Sequence, residues 1–239
     1  MEKERIVMEV TLFFLRWIHF LAGITWIGIL YYFNFVQTPF FAETDAPVRT
    51  GAIQKLVPRA LWWFRWGAMV TFLAGFLYYL LKLHLIGFEL FFSQPYGITI
   101  TVGALMGTLM FLNVWLVIWP NQQIVIASTN QVASGGQALP AAAGAGRRAG
   151  LTSRTNTVFS IPMLFFMGAA SHYPPSLIGM SGSRGLYWIL VIVIIGAVEC
   201  NALVGTQGAT KKPLDSVKGA LWFGFLLTGI LFLLTLALT

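Results

Sequence analysis

The chain has 239 residues, of which 57% are hydrophobic and only 10% are charged. Soluble domains carry about 25% charged residues, so this composition excludes a soluble protein and indicates a single integral membrane domain over residues 1–239. The formal charge of +7 is typical of basic loops that lie beside anionic membrane lipid. Nucleic acid is not an expected partner, because no basic stretch interleaved with aromatic residues lies outside the apolar runs.

The apolar runs predict an all-α bundle of about six transmembrane helices, because about 20 apolar residues in helical conformation cross the core of a bilayer. The first run is too long for a signal peptide, and we expect it to be retained as a span. Pro162 in the fourth run predicts a kink or a short helix. Gly103 and Gly107 in the third have the G-x-x-x-G spacing that lets another helix approach closely. The predicted spans are approximately 10–36, 60–83, 97–119, 156–173, 185–207 and 217–238.

The longest polar segment, residues 121–156, is predicted to be a loop with an interfacial helix over 121–131 and a flexible Gly-, Ala- and Pro-rich part over 134–150. The loops after spans one, three and five carry nine basic residues, against four on the opposite side. Because basic loops stay in the cytoplasm, residues 121–156 are predicted to be cytoplasmic and both termini to lie on the outer, periplasmic side. The two sets are Arg49, Lys55, Arg59, Arg147, Arg148, Arg154, Lys211, Lys212 and Lys218, and Lys3, Arg5, Lys82 and Arg184.

This topology places the three histidines of the chain on one side of the membrane. The first span runs inwards from the outer side, so His19 lies in its outer half. The second and fourth spans run outwards, so His84 and His172 emerge at the outer face. Gathering all histidines at one face is the strongest signal of a functional site that the residue pattern carries.

Arg16, His19, Gly23 and Trp26 share one face of the first predicted helix, because they follow one another at three- and four-residue spacing. This face offers a cation, an imidazole, an exposed stretch of backbone at the glycine and an aromatic ring. Such a combination favours a pocket wall for a flat, anionic, iron-containing ligand such as haem. Neutral imidazole ligates iron, so His19 is the first candidate ligand and His172 the second. The alternatives are a helix-packing role for His19 and an interfacial position for His172.

Two further charged side chains of the outer side have simpler interpretations. His84 beside Lys82 is predicted to reach towards the membrane surface rather than to bind a metal. Arg16 is a candidate partner for a haem propionate or a substrate anion. Alternatively, it reaches the outer surface or pairs with Glu9 or Glu89.

Other polar residues of the spans are expected to have structural roles. Arg65 and Glu199 fall in the inner halves of their spans and are predicted to form an ion pair, since each would be costly alone. The single cysteine, Cys200, is predicted to be buried and inert, and the chain has no C-x-x-C-H motif for covalent haem attachment. Four asparagines are predicted to form hydrogen bonds between helices: Asn34, Asn113, Asn156 and Asn201.

Four blocks spread over most of the chain resemble the membrane domain of the cytochrome c-linked urate oxidase family. They are RWIHFLAGITWIG (16–28) with YYFNFVQ (31–37), RALWWFRWG (59–67), NVWLVIWPNQQ (113–123), and RTNT (154–157) with SIPMLFFM (160–167) and SHYP (171–174). The resemblance implies an oxidoreductase of the bacterial inner membrane that passes electrons from urate, or a similar small reductant, to cytochrome c. More distantly, the first block resembles small membrane haem proteins, in which a histidine of the first span is tied to b-type haem.

The chain departs from this family pattern in one respect, because family members carry a C-terminal cytochrome c domain and this chain ends at Thr239 without a haem-c motif. Two functions are therefore expected. The first is an oxidoreductase with b-type haem and a separate periplasmic cytochrome c as acceptor. The second is a non-catalytic membrane subunit of a larger electron-transfer complex or oligomer. A transporter for a small anion is a third hypothesis, but the sequence lacks the repeats expected of that class.

Overall fold

The computed structural model describes residues 2–172 and 183–239, and within these ranges the chain is helical without any strand. The all-α prediction is thereby confirmed. The elements in chain order are α1 (Glu2–Tyr31), a first π-helical segment (Tyr32–Gln37), α2 (Thr38–Glu43), α3 (Ala46–Lys55), α4 (Val57–Ile86), α5 (Phe88–Ser93), α6 (Pro95–Leu112), a second π-helical segment (Asn113–Ile118), α7 (Trp119–Ala133), α8 (Ala142–His172), α9 (Arg184–Leu203), a 3-10 helix (Ala209–Asp215) and α10 (Val217–Leu238).

Five helical stretches of the described residues are long and apolar enough to cross a membrane. They are Glu2–Glu43, Val57–Ile86, Pro95–Ala133, Arg184–Leu203 and Val217–Leu238. The helix α8 corresponds to the fourth predicted span and has 31 residues, but it is less apolar. Its middle carries a run of buried polar residues that the other helices shield. The protein is therefore a multi-pass membrane protein, while the number of crossings and the side on which the termini lie stay predictions.

The helix α8 is the centre of the bundle and packs against α1, α6, α7, α9 and α10. The G-x-x-x-G pair of α6 packs against α8, because a Cβ at Gly103 would lie 2.7 Å from Met167 of α8. Pro162 does not shorten α8, which continues to His172. A proline cannot bond the carbonyl four residues earlier, that of Val158, and Gly224 of α10 packs directly against this carbonyl oxygen.

The loop predicted over residues 134–150 is shorter than expected, because α8 already begins at Ala142. The small residues that suggested flexibility are instead packing positions. Ala145 and Ala149 are buried, and a Cβ at Gly146 would lie 3.6 Å from Val125 of α7. Small side chains let the first turns of α8 lie close to α7, which is helical over Trp119–Ala133 where a helix over 121–131 was predicted. Its position in the membrane interface stays a prediction.

The helices alternate in direction, so the bundle has two ends that are chemically different. The helix α1 runs antiparallel to α4, as the contacts of His19 with Thr71 and of Phe33 with Phe64 show. The chain from α1 into the first π-helical segment also runs antiparallel to α8, as the contacts of Tyr31 with Ser160 and of Asn34 with Ser153 show. We call the end that carries His19, His84 and His172 the histidine end, and the end that carries Arg147, Arg154 and Asp215 the arginine end.

Candidate functional site

At the histidine end, the predicted pocket wall of α1 is packed against α4. The Nδ1 atom of His19 lies 2.8 Å from the carbonyl oxygen of Thr71. A Cβ at Gly75 would lie 2.6 Å from the same Nδ1, so the imidazole rests directly on this glycine. Gly23 faces the methyl group of Thr71, at 3.7 Å from the position of a Cβ. The α1 face is thus a close helix–helix interface rather than an open wall.

A stripe of small residues on α4 makes this close approach possible. Gly67, Thr71 and Gly75 recur every four residues and line one face of α4, opposite His19, Gly23 and Trp26 of α1. The backbone nitrogen of Trp26 would be 3.2 Å from a Cβ at Gly67. Small side chains at four-residue spacing are typical of tightly packed membrane helices. Trp26 is consequently buried, and its indole N–H has no partner among the described residues.

The backbone contact of His19 determines which of its two ring nitrogens stays available. A backbone carbonyl that accepts the Nδ1–H bond fixes the tautomer and leaves the Nε2 lone pair for a metal. The Nδ1–Cε1 edge faces Gly75, and the next ring atom, Cγ, lies 3.8 Å from a Cβ there. Nε2 is therefore not the atom that contacts this glycine. In the described part of the chain, no three His, Cys, Asp or Glu side chains cluster closely enough to hold a metal ion.

Arg16 bonds to an aromatic side chain rather than to Glu9 or Glu89. Its guanidinium donates a hydrogen bond to the Tyr78 hydroxyl and lies 5.2 Å from the centroid of that ring. The ammonium group of Lys82 is similarly placed 5.5 Å from the ring centroid of Tyr96. Cations stacked on aromatic rings are stabilised without a carboxylate.

The other two histidines are exposed at this end of the bundle. The hydrogen bond between Tyr31 and Ser160, of 2.9 Å, fixes the relative depth of α1 and α8. His19 and His172 are each displaced from this pair by about 18 Å in the same direction, at 1.5 Å rise per residue. They therefore lie at similar depth. His84 lies about 14 Å beyond Gly75 by the same measure. Tyr173 and Pro174 of the last resembling block lie outside the described residues.

The predicted ion pair between Arg65 and Glu199 is wrong. The guanidinium of Arg65 stacks on Trp119, 3.8 Å from the ring centroid, and also faces Trp115. Glu199 is buried elsewhere and accepts a 3.1 Å hydrogen bond from the amide of Asn113. Helical periodicity placed the two charges at similar depth but could not show that tryptophans of the third span lie between them.

The asparagine predictions are confirmed for the buried residues. Asn113 also donates to Asn156 at 2.9 Å, and the amide of Asn156 donates to the Met110 carbonyl at 3.0 Å. This network joins the second π-helical segment to α8 and α9. Asn34 joins the first π-helical segment to α8 in the same way, whereas Asn201 bonds to the Thr210 carbonyl of the 3-10 helix.

The prediction that Cys200 is buried is wrong, because its side chain is exposed on the surface of α9. Its neighbour Glu199 occupies the inward face of this helix. Successive helical residues point about 100° apart, so the burial of one displaces the other outwards.

The arginine end contains a cavity of about 280 Å³ where both π-helical segments meet α8. A π-helical turn inserts one extra residue and occurs frequently at functional sites. The cavity is lined by Phe33, Asn34, Gln37, Thr38, Val57, Leu61, Ile118, Gln122, Gly146, Arg147, Ala149, Gly150, Ser153, Arg154, Leu214 and Asp215.

Arg154 is the central charge of this cavity. Only 8% of its surface is exposed, and its Nε donates a 2.8 Å hydrogen bond to the Oδ1 atom of Asn34. The amide nitrogen of Asn34 is committed to the Leu30 carbonyl and to Ser153, which directs Oδ1 towards the guanidinium. The Nη1 atom of Arg154 is buried and has no hydrogen-bond partner among the described residues.

The acidic group of the cavity is already neutralised. Asp215 forms a 2.7 Å ion pair with Arg147, whose Nε also donates a hydrogen bond to the Thr206 carbonyl. Behind them, the ammonium group of Lys211 is buried and donates to the Val204 carbonyl at 2.9 Å. Burial, and then the charges of Arg147 and the neighbouring Arg148, lower the pKa of Lys211. The arginine end is therefore rich in uncompensated positive charge.

The residue pattern did not identify this cavity as a site. Arg154 counted only as a basic loop residue, and Gln37 only as the end of the first span. Both belong to the blocks that carry the family resemblance, as do Asn34 and Asn113. Membership of these blocks was therefore the sequence feature that could have indicated the cavity.

Comparison with known proteins gives one match. A family model described as urate oxidase N-terminal matches residues 82–232, which is more than half of the chain. The match includes Asn113, Arg154, Glu199 and Asp215, and it begins after His19. No curated protein and no solved structure matches the chain.

Proposed function

The chain belongs to the urate oxidase N-terminal family, and on this premise we propose that it is a membrane oxidoreductase. It takes electrons from urate or a similar small reductant and passes them to a cytochrome c. The basic arginine end faces the cytoplasm of a bacterial inner membrane, and the histidine end faces the periplasm, where the cytochrome c docks.

The observation that supports this proposal most directly is the fixed imidazole of His19. A b-type haem, when bound, supplies the one-electron chemistry that the reaction requires. His19 would hold its iron through Nε2, while the bond from Nδ1 to the Thr71 carbonyl keeps the ring in place. His172, at similar depth, would be the second residue that holds the haem. Arg16 and Lys82 would offer positive charge to the haem propionates.

The optical spectrum of the purified protein tests the cofactor and its ligands together. We expect a Soret band and a reduced-minus-oxidised difference spectrum of b-type haem in the wild type. His19→Ala should abolish both, and His172→Ala should abolish or shift them. His84→Ala is the matched control, because it removes an exposed histidine about 14 Å further along α4 and should leave the spectrum unchanged. A wild type without a Soret band, or a His19→Ala variant with a normal one, would contradict the proposal.

A non-catalytic subunit of a larger electron-transfer complex is the second candidate function. The G-x-x-x-G pair of α6 does not offer a contact to another subunit, because α8 of the same chain packs against it. Native electrophoresis of gently solubilised membranes separates the two functions. The subunit function predicts a large complex, whereas migration as a small species with urate-dependent reduction of cytochrome c supports the oxidoreductase.

A further inference from the structure

The cavity at the arginine end contains an unused hydrogen-bond donor. With only 8% of its surface exposed, Arg154 is more than nine-tenths buried, and its Nη1 atom has no partner among the described residues. A guanidinium is charged at all physiological pH values, and a buried donor without a partner is costly. Native structures rarely keep such a group unless a water, an ion or a ligand completes it.

The same cavity contains an unused acceptor. The Oε1 atom of Gln37 is buried and has no hydrogen-bond partner among the described residues. Gln37 ends the first π-helical segment, so this segment brings both Asn34 and Gln37 to the cavity. A ligand that satisfies the cavity therefore has to accept from Arg154 and donate to Gln37.

Charge and size restrict this ligand further. Asp215 pairs with Arg147 and also acts electrostatically on Arg154, so one carboxylate faces two guanidinium groups. The positive charge that remains favours an anion as the ligand. The volume of about 280 Å³ lies near the small end of the roughly 300–1,000 Å³ range of ligand pockets. This volume suits a small molecule and not a cofactor of the size of haem.

We propose that the arginine-end cavity, with Arg154 as donor and Gln37 as acceptor, binds a small planar anion that carries ring N–H groups beside carbonyl or enolate oxygens. Urate belongs to this class, so the proposal rests on the proposed function for the identity of the ligand. It adds the location of the binding site, which lies in the half of the bundle opposite to His19. Asn34 is a positioning residue, because it holds the guanidinium through Nε.

Equilibrium dialysis of urate against the full chain in lipid nanodiscs tests the site. Arg154→Gln should raise the dissociation constant of urate at least about tenfold, because a charge-assisted bond is lost. Arg148→Gln is the control with the same change of charge. Its guanidinium donates to the Leu203 carbonyl and does not line the cavity, so binding should change less than about twofold, the scatter of such measurements. Equal binding by Arg154→Gln and wild type, or no binding of urate to the wild type, would overturn the proposal.

Two other probes test the class of ligand. Benzoate is a planar anion without N–H groups, and phosphate is an anion that is not planar. Both should bind more weakly than urate, and Gln37→Leu should weaken urate without weakening benzoate. Benzoate or phosphate binding as tightly as urate would show that the cavity does not select this class. If Arg154→Gln does not fold, as judged by its thermal unfolding, Gln37→Leu decides alone, because it changes no charge.

The same assay separates this site from the proposed function. Dialysis does not require turnover, so His19→Ala should bind urate like the wild type. If the wild type binds urate but has no haem spectrum, the proposed oxidoreductase function is contradicted and the proposed urate site is supported. If the haem spectrum is normal but Arg154→Gln does not change urate binding, the proposed urate site is contradicted and the oxidoreductase function is supported.

Discussion

The two ends of the bundle treat their basic side chains differently. At the histidine end, Arg16 and Lys82 lie on tyrosine rings and His19 bonds to a backbone carbonyl. At the arginine end, Arg154 is buried beside a cavity and keeps an N–H group without a partner in the described part of the chain. The basic side chains of the first end find partners within the protein, whereas Arg154 at the second end leaves one of its donors unused among the described residues. Buried polar groups that are satisfied fix a geometry, and a buried charged donor on a residue that lines a cavity is a candidate contact for a ligand.

If the protein has the proposed oxidoreductase function, the separation of the two ends determines the direction in which electrons travel. His19 and Asn34, which holds Arg154, are separated by about 18 Å of α1 up to Tyr31, at 1.5 Å rise per residue, and then by the first half of the first π-helical segment. A reductant bound at Arg154 and a haem held by His19 therefore lie in different halves of the membrane. The protein would carry electrons from one face to the other, and neither end would be sufficient alone.

The largest expected effect comes from disturbing the packed histidine end. Gly75→Ala places a methyl group where the His19 ring lies, at 2.6 Å from Nδ1, so the ring has to move and lose its bond to Thr71. We expect a loss of about 2–3 kcal/mol in unfolding free energy from overpacking, together with loss of the haem spectrum. Thermal unfolding in detergent and the optical spectrum measure both.

The control for this variant is Gly28→Ala on α1, where no atom lies within 4 Å of the new methyl group. It should behave like the wild type. If Gly75→Ala also behaved like the wild type, His19 would not rest on this glycine, and the contrast between a packed and an open end would fail.

A smaller effect is expected from the polar layer that separates the two ends. Asn113→Leu removes the donor that Glu199 and Asn156 share, and leaves two buried oxygens without it. We expect the unfolding free energy to fall by about 1–2 kcal/mol, since such groups cost about 1–3 kcal/mol each and membrane helices recover part of this by repacking. Thermal unfolding measures the loss.

Asn121→Leu is a suitable control, because the hydrogen bond of this asparagine is local, to the Val117 carbonyl four residues earlier in the same continuous helical stretch. Equal destabilisation by both variants would show that the Asn113 network does not tie α9 to the centre of the bundle.

The sequence alone predicted the helical membrane fold, because apolar runs of sufficient length report the bilayer directly. It also predicted the common side of the three histidines, which follows from alternating helix directions. It failed where a side chain's role depends on the facing helix. Thr71 and Gly75 fix the position of the His19 ring, yet they lie 52 and more residues away in the chain. Arg154 resembled a loop residue because the Ala- and Gly-rich start of α8 concealed a buried helix.

The smallest predicted effect concerns Lys211 at the basic end. Its folded pKa is lowered by burial and by the arginines beside it, relative to about 10.4 for an unperturbed lysine. Between the two values the unfolded chain binds more protons, so the unfolding free energy of the wild type should rise with pH through this window. Lys211→Gln keeps a donor for the Val204 carbonyl and removes the charge. It should therefore reduce this rise.

Unfolding midpoints at neutral and at alkaline pH test the sign of this effect. Lys212→Gln is the matched control, because this neighbour is exposed and should preserve the rise. Since the rise comes in part from the crowding of Lys211 by Arg147 and Arg148, an anion in the nearby cavity should weaken it by offsetting their charge. Saturating urate should therefore flatten the wild-type pH dependence and leave that of Arg154→Gln unchanged. A rise that is the same in Lys211→Gln and in the wild type would show that the excess positive charge of the arginine end does not act on Lys211.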